Sequence, residues 1–289
     1  MKRIIAALLA VFALWSSALA EEMPYSFSGK VIRTYVSDSL DISMESFDWE
    51  DARCYLTKVW MLSPGEQIYK ATANWEKDLS YPSDIAKKLD VTPILVVNGS
   101  GYVSPVFPEI PDNYPGTSAD YYYTPLGSLT ITNGEVFRNL TGVPFYGLTL
   151  QADGLHMHVG DDPEDVLAQS PTQTWSFYER CPLIQDGVSI LDTDWTFANR
   201  KAIRTIIGKM DDHNYFLLTV TNKTNAGLTL VDCVDFLLKE IHPQWAYDLD
   251  GGPSSALLMR TNAAGSLKTI FGNNSRDADI LAIGELQGE

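Results

Sequence analysis

Cysteine and cationic side chains are both scarce in this 289-residue chain. The three cysteines, Cys54, Cys181 and Cys233, stand far apart, and none belongs to a C-x-x-C pair. That excludes a cysteine-ligated zinc site and a disulfide framework. One bridge remains available, and spacing does not choose its partners. Lysine and arginine together number 21 against 37 aspartates and glutamates, a formal charge of -16. A chain this acidic repels nucleic acid and anionic lipid, so neither is expected as a partner. It does not repel a phosphate held in a local cationic pocket. There is no low-complexity tract, no internal repeat of 20–50 residues and no linker that would split the chain.

Long apolar runs are also missing, with one exception at the start. Ile4 to Trp15 is continuously apolar, follows Lys2 and Arg3, and precedes Ala18-Leu19-Ala20, a small-x-small pattern. These features read as a signal peptide over residues 1–20, cleaved near Ala20. The alternative is an uncleaved anchor, although the run falls short of the roughly 20 apolar residues of a membrane span. Either way the body is expected to be secreted or extracytoplasmic, with no integral membrane domain after cleavage. Losing Lys2 and Arg3 would take the formal charge from -16 to -18. The remainder, about 270 residues, is long enough to bury a large core.

What is present is mostly strand signal. Lys30 to Phe47 reads as a strand with its flanking loop, and Ala52 to Pro64 as an alternating second strand. Pro82 to Asp90 reads as a short helix capped by Ser83 or Ser80. An apolar strand then ends in Asn98-Gly99-Ser100-Gly101, followed by a long Pro- and Tyr-rich loop from Val103 to Tyr123. Four hairpins are marked, around Asn133-Gly134, Asp153-Gly154, Asp186-Gly187 and Asp211 to Asn214. Leu230, Val234, Leu237, Leu238 and Ile241 fall at helical spacing behind Thr229 as N-cap. Trp245 to Asp250 and Asp279 onward read as strands, and Ser254 to Met259 as a helix start or another strand. The expected class is α+β: one domain of mixed or antiparallel sheets with a few packed helices, the strands and short helix of residues 21–90 belonging to it.

The densest chemistry lies in Asp248-Leu249-Asp250-Gly251-Gly252-Pro253-Ser254-Ser255. Strand alternation puts Asp248 and Asp250 on one face, with Cα atoms about 6.5–7 Å apart. Two carboxylates that close raise one another's pKa when partly buried, as acid–base work requires. The glycines permit a sharp bend, and successive N–H groups there could form an anion nest extended by the serine hydroxyls, less the N–H that Pro253 lacks. The plainer alternative is a strand turn with a serine cap and acids that complement a helix dipole.

The ordered series Asn98-Gly99, Pro125-Leu126-Gly127 with Asn133-Gly134, Pro182 to Gly187, Arg204-Thr205-Ile206-Ile207-Gly208, Gly227-Leu228-Thr229-Leu230, the Asp250 loop and Arg276 resembles the phosphodiester glycosidase family, from roughly Ile94 to the C-terminus. The resemblance implies a domain of this kind over residues 91–289. It implies hydrolysis of a sugar-1-phosphodiester of the α-N-acetylglucosamine-phosphate type, on a phosphorylated glycan of the cell envelope for example. On that reading Asp250 is the essential carboxylate, as base or nucleophile, with Asp248 as partner. Arg204 is the bidentate phosphate clamp, and Arg276 a second cation. Asn98, Gly99, Thr205, Gly251, Gly252, Ser254 and Ser255 shape the substrate pocket. No cofactor or metal is implied.

The chain departs from the family pattern at Pro253 for the third glycine, Asp248 for asparagine, Gly101-Tyr102 for two aromatics, and Asp279-Ile280 for Asn-Ala. Those departures support an alternative, a non-catalytic secreted glycan- or phosphoglycan-binding protein of the same fold. A metal hydrolase built on His156 and His158 is a third reading; the plainer one makes them a solvent-facing pair near a turn.

Overall fold

The computed structural model describes residues 29–50, 52–75, 78–102, 123–177, 179–222 and 227–286. The expected signal segment and nearly all of the Val103 to Tyr123 loop lie outside them. The N-terminal strands are β1 (Lys30–Val36), β2 (Leu40–Trp49), β3 (Ala52–Met61), β4 (Ile68–Thr72) and β5 (Pro93–Asn98). Three hairpins follow as β6 (Leu129–Thr132) with β7 (Glu135–Asn139), β8 (Phe145–Gln151) with β9 (Gly154–Asp161), and, after β10 (Gln173–Ser176), β11 (Pro182–Gln185) with β12 (Val188–Ser189). The rest are β13 (Arg204–Lys209), β14 (Asn214–Asn222), β15 (Trp245–Asp248), β16 (Ala256–Met259), β17 (Lys268–Gly272) and β18 (Asp279–Gly284).

Two sheets carry the architecture. The larger runs β1-β2-β3-β14-β13-β15-β11-β12 and the second β17-β16-β5-β18-β4, with smaller sheets β10-β8-β9 and β6-β7 beside them. Among the described residues every strand pair is antiparallel. The expected α+β class therefore stands, in its antiparallel form.

Strand alternation sorts the core into layers. Val59, Met61, Ile207, Leu217 and Tyr247 of the larger sheet meet Val97, Leu257, Leu281 and Ile283 of the second in one buried cluster. The opposite face of the larger sheet, with Cys54, Leu56, Ile206, Leu218 and Ala246, packs on Leu230, Cys233, Val234, Leu237 and Ile241. Each such aliphatic side chain contributes about 1.5–3 kcal/mol on full burial. That second layer is the helix Leu230–Phe236, continued as a π-turn over Leu237–Ile241. Thr229 caps it as expected, in a capping box with Asp232. No described helix is long and apolar enough to cross a membrane.

Several local expectations change. Lys30 to Phe47 is not one strand but most of a hairpin, turning where Ser37 N donates to Leu40 O at 2.8 Å. The short helix covers Pro82–Ile85 and runs on as a 3-10 turn, with Tyr81 rather than a serine at its N-cap. Ala256–Met259 is a strand, buried on both faces, which a continuous apolar run fits as well as a helix. The three cysteines are buried thiols.

Candidate active site

Four strand ends from both sheets meet at one edge. Asn98 closes β5, Thr205 is the second residue of β13, Asp248 closes β15 and Asp279 opens β18. Asn98 is fully buried and ties β5 to Thr205 of β13, to the Asp250 bend and to Ala256 of β16. Its Nδ2 donates to Asp250 O at 2.6 Å, and its Oδ1 accepts from Ala256 N at 3.1 Å. Thr205 Oγ1 lies 2.9 Å from that same Oδ1 and 3.1 Å from Ser255 Oγ. Asn98, Thr205 and Ser255 thus share one buried polar junction under the Asp250 bend, which fixes the bend rather than presenting free groups to a ligand.

The bend itself is turned by its glycines. Gly252 sits at φ +59, a conformation a side chain would strain, and a Cβ on Gly251 would press within 2.8 Å of Ile203 O. The amides from Asp250 to Ser255 are all bonded inside the protein. Asp250 N donates to Gly99 O at 3.1 Å, Gly252 N to Ile203 O at 2.9 Å, Ser254 N to Gly251 O at 3.2 Å and Ser255 N to Gly252 O at 3.3 Å. Gly251 N donates to Asp250 Oδ1 at 2.8 Å, and Pro253 has no N–H. The expected anion nest is therefore consumed by the fold; what the bend presents is a carboxyl group.

Asp250 is partly buried, and burial pushes its pKa up to about 7, against hydrogen bonds from Ser254 and Gly251 N–H. Around it stand groups that sequence reasoning did not single out. Tyr102 is hydrogen-bonded to Ser254 and Ser275, and burial together with the Asp250 charge pushes its phenol up to about 12. Asp277 is buried beside Ser254, and burial, then the Asp250 charge, hold it well above the usual carboxylate range. Asp279 is fully buried against Lys70 at 3.0 Å. Tyr102 and Asp279 both stand at motif positions where the chain departs from the family pattern, and Asp277 lies beside one, which was the available signal; nothing local marked Lys70. Together these groups can move a proton at Asp250 near neutral pH and stabilise positive charge beside it.

Asp248 and Arg204 turn to the helix side of the sheet, with Asp248 still close enough to feel the Asp250 charge. Both continue the helix-facing register of Ala246 and Ile206, and the chain bends after Asp248, so alternation does not carry through to Asp250. Arg204 Nη1 is 3.5 Å from Asp248 Oδ2, with both side chains about 1% exposed. Its Nη2 donates to Phe197 O at 3.0 Å and Arg200 O at 2.8 Å, and the guanidinium lies 4.5 Å over the Phe197 ring. Burial pushes Asp248 up to about 7, with Arg204 opposing and Asp250 adding. This is an interior ion pair bracing the Phe197 to Arg200 turn. Arg276 is exposed, pairs with Asp78 and lies over Tyr81.

His156 and His158 do not form a common site. His156 Nε2 pairs with Asp153 at 2.7 Å. His158 is buried rather than solvent-facing, between Thr149 Oγ1 at 2.9 Å and Asp161 Oδ2 at 2.6 Å. A hollow of about 610 Å³, lined by Met157, Gln185 and His242 to Trp245 among others, opens at the far end of β15 from Asp250.

The comparisons with known proteins bear on the family and the fold. The family model described as phosphodiester glycosidase matches residues 91–283, from just before β5 into β18. Among solved structures, the chain is similar to the zebrafish N-acetylglucosamine-1-phosphodiester alpha-N-acetylglucosaminidase catalytic domain auto-inhibited by pro-peptide. The TM-score is 0.61 at 17% identity, over 90% of this chain and 87% of that one. It is also similar to a hypothetical protein from Synechocystis, with TM-score 0.52 at 12% identity over 86% of this chain and 62% of that one. At these identities the likeness is one of fold. No curated protein matches the chain by sequence.

Proposed function

The chain belongs to the phosphodiester glycosidase family, and on that premise we propose that it hydrolyses a sugar-1-phosphodiester, with Asp250 as the reacting carboxylate. The observation that carries this reading is a partly buried carboxyl at a strand-end bend, its pKa near 7, inside a ring of further acids and hydroxyls. Ionised Asp250 takes a proton from a water whose oxygen bonds to the anomeric carbon. The bond from that carbon to the phosphate oxygen breaks, its electron pair leaving with the phosphate. The products are free sugar and a phosphomonoester.

The acidic surroundings suit the sugar side of this reaction. Positive charge develops on the ring in an oxocarbenium-like transition state, and carboxyl groups beside it lower its energy. A phosphoester leaves readily as an anion, so little proton donation is required of the protein. The phosphate would then point outward, away from Asp250 and Asp277. Arg204 and Asp248, placed as an interior pair, act in this scheme by bracing β13 and β15. The leader-like Met1 to Ala20 segment supports action outside the cytoplasm, on a phosphorylated glycan of the cell envelope.

Among the described residues the consumed amides and the buried Arg204 leave few donors for a phosphate in a transition state, which keeps the non-catalytic glycan-binding alternative as the second reading. One assay separates the two. The wild-type protein should release free N-acetylglucosamine from its α-1-phosphodiesters, and Asp250→Asn, correctly folded, should not. Measurable binding of such diesters without release of sugar by the wild type would transfer the assignment to glycan binding.

A further inference from the structure

Behind Asp279 lies a lysine whose side chain has no exposure. Lys70 of β4 falls outside the 91–283 span of the family match, yet its side chain reaches the site. Nζ is 3.0 Å from Asp279 Oδ2, donates to Thr174 O, and sits 5.5 Å and 5.8 Å from the ring centroids of Trp175 and Trp75. Asp279 in turn accepts from Ser100 N at 2.6 Å and Ser100 Oγ at 2.9 Å. Two charges this deep are costly to desolvate, and the pair persists because each oxygen and the ammonium group have polar partners.

The pair leads directly to Asp250. Gly99 N donates to Asp279 O at 3.2 Å, and Gly99 O accepts from Asp250 N at 3.1 Å. A Cβ on Gly99 would overlap Asp279 Oδ1, so the carboxylate packs on the glycine itself. One residue separates the grip on Ser100 from the amide of the reacting aspartate. We propose that the Lys70–Asp279 ion pair is the positioning element of Asp250: it holds the Gly99-Ser100 bend to which Asp250 is tied and balances the charge behind its carboxyl. The proposal rests on reading Asp250 as the reacting group.

Among the described residues the charged group that acts on Asp250 is Asp279 at the start of β18, while the Asp250 charge in turn raises Asp248 from β15, Tyr102 beyond β5 and Asp277. Of these, Asp279 is the one neutralised by a buried lysine. Removing one member of the pair should therefore move Asp250 in a direction set by the member removed. Asp279→Asn removes the carboxylate that raises Asp250 and, with it, the counter-ion that holds Lys70 charged against burial, so Asp250 should titrate lower by roughly half a pH unit or more; Lys70→Met leaves the Asp279 carboxylate unbalanced, and Asp250 should titrate higher by a similar amount.

Two readouts follow the carboxyl. The first is the acid limb of kcat/KM on an α-N-acetylglucosamine 1-phosphodiester. The second is the Asp250 carboxyl resonance in 13C-aspartate-labelled protein, assigned by its loss in Asp250→Asn. Shifts of opposite sign in the two variants support the proposal; shifts of one sign, or none, overturn it and leave the pair as core packing whatever happens to the rate. Thermal unfolding establishes that each variant is folded, and where Lys70→Met is not, the downward shift in Asp279→Asn or its absence decides. A wild type that turns over no diester would sink the hydrolase reading, and the carboxyl titration would still test the pair.

Discussion

Replacing Arg204 by methionine tests whether this residue braces the fold or clamps a phosphate. The guanidinium is buried, donates to two main-chain carbonyls, covers the Phe197 ring and faces Asp248 at 3.5 Å. Its loss leaves Phe197 O, Arg200 O and the Asp248 carboxyl without it. A buried acceptor left unsatisfied costs about 1–3 kcal/mol, and a buried ion pair broken from one side about 3–5 kcal/mol. These contributions overlap, so a total of about 4 kcal/mol is expected, a large share of the roughly 5–15 kcal/mol that stabilises a domain.

The pH dependence of that loss is specific. Asp248 is already held near 7 by burial with Arg204 opposing the rise, so removing the cation raises it further. A carboxyl whose folded pKa exceeds its unfolded value destabilises the protein as pH climbs, because the unfolded chain gives up the proton first. The difference between Arg204→Met and wild type should be steady below about pH 7. Above it the gap should widen by up to about 1.4 kcal/mol per pH unit. Adding Asp248→Asn should abolish the widening. Urea denaturation followed by tryptophan fluorescence at pH 5.5, 7 and 8.5 measures all three variants. A wild-type denaturation midpoint in Arg204→Met, together with a KM for phosphodiester raised tenfold or more, would refute the bracing role and return Arg204 to the substrate.

Three further outcomes are expected. Because Asp250 must be ionised to take a proton, kcat/KM should rise with pH and level off above about 7; a limb near 4 would remove Asp250 as the base. Gly99→Ala should lower both stability, by about 1–3 kcal/mol, and kcat, since its methyl overlaps Asp279 Oδ1 and comes 3.0 Å from the Trp175 ring; unchanged kcat would mean the bend tolerates displacement. Thr229→Ala removes the capping box and should cost about 1 kcal/mol in urea titration with kcat/KM untouched, since Thr229 bonds Asp232 and not Asp250 or the groups around it.

The elements that sequence alone determined are those whose cause is local. Asn133-Gly134 and Asp186-Gly187 form tight hairpins because both positions of each pair take positive φ, which Asn, Asp and glycine tolerate. Thr229 with Asp232 starts a helix because the two satisfy each other's backbone groups three residues apart. The glycine-rich bend after Asp250 was legible for the same reason, and its resemblance to a family placed Asn98, Thr205, Ser254 and Ser255 around it. Lys30 to Phe47 reads as a strand with its flanking loop because its turn, at Ser37, carries no Asn-Gly or Asp-Gly pair.

Tertiary structure alone decided which charges share a space. Alternation put Asp248 and Asp250 on one face, but the strand stops at Asp248, so one carboxyl meets Arg204 under the helix layer while the other turns to Tyr102 and Asp277. Lys70 and Asp279 meet because β4 lies beside β18, a pairing between segments more than 200 residues apart. Turns and caps are governed by a few neighbouring dihedrals and hydrogen bonds. The partner of a buried charge is set by strand order and register across whole sheets, which the packing of distant apolar faces decides.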